Sequence, residues 1–139
     1  MQAGEEGVSV HRIMSVSPVT VRMDDALSRV KELFDSHHFH HLLVVDGERL
    51  VGVVSDRDLL KALSPHIGTV SETARDLASL NKRAHQIMSR HPIVLRPTAS
   101  IREAIEIFNT HAISCIPVVD AENRPVGIVS WRDILKSLR

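Results

Sequence analysis

The hydrophobic and polar positions of this 139-residue chain run through one series twice. In the first pass, Pro18-Val19-Thr20-Val21 is a short extended segment, and Asp24 and Asp25 follow as candidate helix caps. Leu27, Val30, Leu33 and Phe34 are spaced to form one apolar face of a helix. His37 to His41 end that helix and lead into the apolar run Leu42-Leu43-Val44-Val45. Asp46-Gly47 predicts a hairpin turn, Leu50-Val51-Gly52-Val53-Val54 the returning strand, and Ser55 the start of a second helix stopped by Ser64-Pro65. In the second pass, Ile101, Ala104, Ile105 and Phe108 form the helix face. Ile116-Pro117-Val118-Val119 and Val126-Gly127-Ile128-Val129 are the strands, and the last helix runs from Ser130 towards Leu138. Each pass therefore predicts a β-α-β-β-α unit, two helices over a small sheet, in an α+β fold.

The repetition reaches individual residues. Ile13-Met14-Ser15 with Pro18 returns as Ile87-Met88-Ser89 with Pro92, at an offset of 74. Gly52-Val53-Val54-Ser55-Asp56-Arg57-Asp58 returns as Gly127-Ile128-Val129-Ser130-Trp131-Arg132-Asp133, at an offset of 75. The one extra residue falls in the turn after Asp120, where a loop absorbs it cheaply. Two copies of one supersecondary unit are expected to share a core, with repeat one over residues 8–64, a partly helical connection over 65–84 and repeat two over 85–139. Within the connection, Thr69 with Glu72 predicts a capping box, and Ala74, Leu77, Ala78 and Leu80 a helix. Residues 1 to about 8, with Gly4 and Gly7, read as a flexible lead.

Composition narrows the function classes. Hydrophobic residues make up 43% and aromatics only 3%, so the core must be aliphatic. Seventeen basic residues balance 17 acidic ones, which leaves no excess to neutralise a nucleic-acid backbone. Apolar runs are a few residues long, so no membrane span is expected, and the opening residues carry Glu5 and Glu6 instead of a secretory signal. The single cysteine, Cys115, excludes an internal disulfide and fits a reducing cytoplasm.

The junction Gly-apolar-apolar-Ser-x-Arg-Asp carries the candidate chemistry, and it has two readings. Structurally, Ser55 caps the second helix and Asp58 returns a bond as the acidic half of a capping box. Functionally, a hydroxyl and free backbone N–H groups at a helix start suit an anion, a carboxylate one turn later can accept from both hydroxyls of a ribose, and Arg57 or Arg132 can fork onto a phosphate. A capping box needs no arginine between its serine and its acid, yet both copies have one.

From about residue 10 to 139 the chain resembles a tandem pair of cystathionine β-synthase (CBS) domains, a stand-alone Bateman module. The resemblance rests on the paired Met-Ser-x-x-Pro openings, on Ile116-Pro117-Val118-Val119-Asp120, and on the two Gly-x-x-Ser-x-x-Asp endings. It implies two β-α-β-β-α repeats packed pseudo-symmetrically through their small sheets, helices outside, with two clefts between them. It implies AMP, ADP, ATP or S-adenosylmethionine as regulatory ligand, with no obligatory cofactor. Asp58 and Asp133 match the family's ribose-binding aspartate, and Ser55 and Ser130 the adjacent hydroxyl. The resemblance sets Asp133 and Ser130 opposite Phe39, His40 and His41, and Asp58 and Ser55 opposite Ile113, Ser114, Cys115 and Pro117. Ser100 and Ala104 line the first helix of repeat two near that second cleft. It further implies a homodimer, the first helices of both repeats being the candidate interface, and a separate effector protein that reads the ligand state.

The two clefts differ in composition. Repeat two has Pro117 where repeat one has Leu43, and Ser114 and Cys115 where repeat one has His40 and His41, so the Asp58 cleft has more room for an adenine. The histidine run also admits a metal reading through His37 and His41 at i, i+4, without an acidic or cysteine partner at ligand spacing. Its plainer reading is that His37 and the matching His111 close their helices, while His40 and His41 face the cleft or lie half-buried. A third reading is a pH-sensitive cleft. Cys115 reads as a small buried hydrophobe, and Trp131 as a residue of a cleft rim or oligomer contact. The rival functions are a structural scaffold with one or both clefts inactive, an enzyme, for which no catalytic set can be assembled, and a nucleic-acid-binding module, which zero net charge and scarce aromatics disfavour. Phosphate number depends on how Arg57, Arg132 and residues such as Arg22 or Arg96 converge.

Overall fold

The computed structural model describes residues 8–138, so the expected lead over residues 1 to about 8 lies almost wholly outside the described residues. A 3-10 turn over Val10–Arg12 precedes β1 (Ser15–Val16), β2 (Thr20–Arg22), α1 (Leu27–Ser36), β3 (His41–Asp46), β4 (Arg49–Ser55) and α2 (Asp56–Ala62). The connection holds α3 (Ala74–Ala78), a 3-10 turn over Ser79–Asn81 and α4 (Ala84–Ile87). Then come β5 (Ser89–Arg90), α5 (Ile101–Thr110), β6 (Cys115–Val119), β7 (Pro125–Ser130) and α6 (Trp131–Ser137). The fold is α+β, with one three-stranded sheet in the order β1-β7-β6 and one four-stranded sheet in the order β2-β3-β4-β5.

These elements form two compact units, and neither is a continuous half of the chain. One takes residues up to 18, 48–50 and 92 onward; the other takes 19–47 and 51–91. The Met-Ser openings explain the interleaving. Ser15 and Val16 pair antiparallel with Ile128 and Gly127 of β7, and Ser89 and Arg90 pair antiparallel with Val53 and Gly52 of β4. Each opening thus completes the sheet of the repeat it does not introduce. A Cβ built on Gly52 would lie 2.5 Å from Met88 Sδ and 3.0 Å from the Ser89 carbonyl oxygen, and one on Gly127 would collide with Met14 Sδ in the same way. The glycines and the Met-Ser pairs are therefore two halves of one contact, made twice.

Each unit has an aliphatic core. In one, Val21, Leu27, Val30, Leu33, Leu42, Val44, Val54, Leu59, Ala84 and Met88 pack together; in the other, Val10, Leu95, Ala104, Ile116, Val118, Val129 and Ile134. β4 alternates between buried and partly exposed positions, whereas β6 is buried at every residue, as expected of a strand covered on both faces. Leu42 and Val44 join the core of the first unit, so Leu43 stands on the opposite face of β3; Cys115 and Pro117 hold the same relation to Ile116 and Val118.

Two local expectations are corrected. Asp24 and Asp25 do not cap α1: its N-cap is Ala26 with no side-chain bond, and Asp25 Oδ2 instead accepts from the Arg22 N–H at 2.8 Å, tightening the turn after β2. In the connection the capping box is Thr73 with Asp76, four residues later than Thr69 with Glu72. Glu72 accepts from the Gly68 N–H at 2.9 Å, so the Thr69 stretch folds as turns before the helix starts. His37 and His111 do close α1 and α5, with their Nδ1 atoms 3.0 Å from the Leu33 oxygen and 3.2 Å from the Ile107 oxygen.

Candidate functional site

In each repeat the last strand runs into the last helix at a serine with extended backbone, and the residues around it form the site. Ser55 Oγ accepts from the Asp58 N–H at 3.0 Å, and the Ser55 N–H donates to Asp58 Oδ2 at 2.9 Å. Ser130 Oγ accepts from the Asp133 N–H at 3.2 Å, and its N–H donates to Asp133 Oδ2 at 2.8 Å. Both copies are complete capping boxes, so the structural reading of the motif holds. It leaves capacity for the other: an ionised carboxylate has about four lone-pair sites, and each box engages Oδ2 through one N–H. Arg57 and Arg132 are exposed beside these boxes, and the Arg132 guanidinium carbon lies 5.9 Å from the centroid of the half-exposed Trp131 ring.

At the repeat-one end, Phe39 and His40 lie just ahead of β3 and His41 opens it, beside the start of α2. Phe39 is half-buried, 5.4 Å from the Phe34 ring centroid and 5.2 Å from that of His37. His40 is exposed and bound twice to one residue: its carbonyl accepts from the Asp56 N–H at 3.0 Å, and its Nδ1 lies 2.9 Å from Asp56 Oδ2. His41 is half-buried, and burial holds its pKa below the ordinary histidine value, opposed by Asp56 and Asp58 and assisted by His40.

At the repeat-two end, Cys115 pairs with Ser130 in the β6–β7 register, so Ser114 and Cys115 lie at the strand end that meets the start of α6. Ile113 and Ser114 are exposed; Cys115 is buried, and burial pushes its thiol pKa up to about 12. Ser100 caps α5, its Oγ accepting from the Glu103 N–H at 3.1 Å, while Ala104 and Pro117 are fully buried. Among the described residues no three His, Cys, Asp or Glu side chains gather as a metal site. Asp56 is the residue that sequence reasoning passed over: in Ser-x-Arg-Asp it stood as the unspecified x, and only the fold brings it to His40.

The CBS domain family matches residues 10–65 and 84–139, and the chain belongs to it, with two repeats. A CBS domain-containing protein of Dictyostelium discoideum is 29% identical over 133 residues, covering 94% of this chain and 91% of the relative. The inosine-5′-monophosphate dehydrogenase of Methanocaldococcus jannaschii is 27% identical over 119 residues, but the match spans only 21% of that protein. Among solved structures, the CBS domain pair of protein MJ0100 in complex with 5′-methylthioadenosine and S-adenosyl-L-methionine is 27% identical, with a TM-score of 0.77, covering 94% of this chain and 95% of that one. No helix among the described residues is long and apolar enough to cross a membrane.

Proposed function

We propose that this protein is a non-catalytic regulatory module that binds an adenosine-containing ligand, of the class AMP, ADP, ATP or S-adenosylmethionine, and passes its ligand state to a partner. Asp58 and Asp133 accept from ribose hydroxyls, and Ser55 and Ser130 supply the neighbouring hydroxyls. Arg57 and Arg132 meet the charged end of the ligand. Phe39, His40, His41, Ile113 and Ser114 are the further ligand-facing groups. Ser100 adds a hydroxyl, and the buried Ala104, Cys115 and Pro117 shape the floor from beneath. The observation that carries the reading is that both capping boxes keep an exposed arginine a box does not need, in a family whose member MJ0100 is crystallised with two adenosine ligands. Two ligands that each prefer one arrangement of the chain shift its population, and a partner or a second copy senses that shift. The proposed setting is the cytoplasm, where Cys115 stays a thiol, and the proposed assembly is a homodimer.

The completeness of the two boxes favours one alternative, a structural or dimerisation scaffold with one or both clefts inactive, because each serine and aspartate already has a folding role. A thermal-shift panel of AMP, ADP, ATP and S-adenosylmethionine separates the two. A ligand at one hundred times its Kd stabilises by about 2.7 kcal/mol and raises Tm by several degrees. Stabilisation by none of the four leaves the scaffold.

A further inference from the structure

We propose that Asp56 is a positioning residue that fixes the ring of His40 and thereby makes binding of a phosphorylated ligand proton-dependent. The inference rests on His40 being a ligand-facing residue. The geometry is a double tie, the backbone bond from the Asp56 N–H to the His40 carbonyl at 3.0 Å and the side-chain contact of Nδ1 to Asp56 Oδ2 at 2.9 Å. The backbone bond fixes where β3 begins relative to α2, so the ring and the carboxylate meet without either element moving.

Chemistry then sets the tautomer. An ionised carboxylate only accepts, so Nδ1 must carry the hydrogen, and a neutral His40 presents Nε2 as a bare acceptor. Protonation adds a hydrogen at Nε2 without disturbing the bond to Asp56. In one orientation, the same atom is an acceptor on the neutral ring and a cationic donor on the protonated one. A phosphate at Nε2 is repelled by the first state and bound by the second; an uncharged adenosine derivative offers no opposite charge there, so protonation changes its affinity less. The other ionisable groups on the segments that meet at His40 are His37 and His38 before it, His41 on β3, and Arg57 and Asp58 on α2. Of the adjacent pair, His41 is half-buried and disfavoured as a cation by burial, whereas the His40 ring is exposed. Repeat two carries Ser114 and Trp131 at the matching positions, side chains that do not titrate in this range, so the device belongs to repeat one alone.

Two measurements test it on the whole chain. The ring nitrogens of the neutral His40, read by NMR in the ligand-free protein, should show hydrogen on Nδ1, and Asp56→Ala should mix the tautomers; hydrogen on Nε2 in the unaltered protein overturns the assignment without reference to any ligand. Calorimetry with AMP and with 5′-methylthioadenosine from pH 8 to 5.5 reads the consequence. AMP affinity should rise about fivefold as pH falls, the effect of one exposed charge-assisted bond, and 5′-methylthioadenosine should change less. His40→Gln and Asp56→Ala should each flatten the AMP profile, and the double variant should add nothing. Asp56→Asn, which can accept through its oxygen or donate through its nitrogen, should also loosen the tautomer while keeping the side chain's size at the helix start. If AMP binds with an unchanged pH profile in Asp56→Ala, the inference fails while the ligand reading stands; if neither probe binds at any pH, the ligand reading itself fails and the proton-dependence falls with it.

Discussion

The ends of the two repeats share a backbone and differ in the chemistry laid on it. Ser55-Asp56-Arg57-Asp58 and Ser130-Trp131-Arg132-Asp133 start helices of the same length with the same two reciprocal bonds. Ahead of the first box stand His40 and His41, tied to or leaning on acidic groups; ahead of the second stand Ser114 and a buried Cys115. The capping bonds constrain the serine and the third residue after it, so those positions are equal in both copies. The residue between cap and arginine makes no such bond, and there the copies diverge into Asp56 and Trp131. Folding requirements thus hold the frame constant, and on the proposed function whatever distinguishes two ligands must lie at the positions the frame leaves open.

The largest way to break the comparison is to remove, in turn, each carboxylate proposed to face a ribose. Losing hydrogen bonds to a charged group costs roughly 1.5–3 kcal/mol, a 10- to 150-fold loss of affinity at the affected end. On the proposal that Ser114 and Cys115 leave more room for an adenine than His40 and His41, Asp58→Ala should abolish the tighter of two binding events and Asp133→Ala the weaker. Calorimetry resolves the two, and equal losses would sink the asymmetry.

A smaller effect probes the shared frame instead. Gly52→Ala and Gly127→Ala each drive a methyl into the thioether of the opening methionine and against a serine carbonyl, so each should destabilise by about 1–3 kcal/mol. Because the contact is made twice in one form, urea denaturation should give losses of similar size. Met88→Ala combined with Gly52→Ala should recover part of the loss, since the collision goes with the side chain. A strongly unequal pair of glycine effects would show that the two openings do not bear on their sheets alike.

How legible all this was depends on the range of the interactions involved. Period-3 and period-4 spacing placed α1 and α5, Asp46-Gly47 placed the hairpin, and the β-α-β-β-α order came through because each is a matter of neighbouring residues. The exchange of the Met-Ser openings was not legible: Met14 meets Gly127 across more than a hundred residues, and the pattern of each repeat is the same whichever sheet its opening joins. Asp25 and Thr69 misled because a residue that prefers caps serves equally well in a turn, and the choice is made by where the preceding strand ends. The capping boxes could be read from spacing alone, whereas the bond between His40 and Asp56, 16 residues apart, needed the strand and helix to be in place.

The least of the expected effects lies at one strand position held by His41 in repeat one and Cys115 in repeat two, and it has opposite signs there. Burial lowers the pKa of His41 from its ordinary 6.5, so the folded chain binds its proton later than the unfolded chain does. Above pH 6.5 the group is neutral in both states and stability is flat; as pH falls below 6.5 the unfolded state takes up the proton first and stability declines, levelling off below the folded pKa. Burial raises the pKa of Cys115 from 9.0 to about 12, so its loss comes on the other side. As pH rises past 9.0 the unfolded thiol ionises while the folded one does not, and stability falls by up to about 1.4 kcal/mol per pH unit until the folded thiol also titrates. With no tyrosine in the chain, lysines are the other side chains that titrate in that range. Urea midpoints measured from pH 5 to 10.5 should show both declines. His41→Cys should remove part of the acid slope, and Cys115→Ala should remove the alkaline one. Survival of the alkaline slope in Cys115→Ala would assign it to the lysines and leave the thiol without the effect its burial implies.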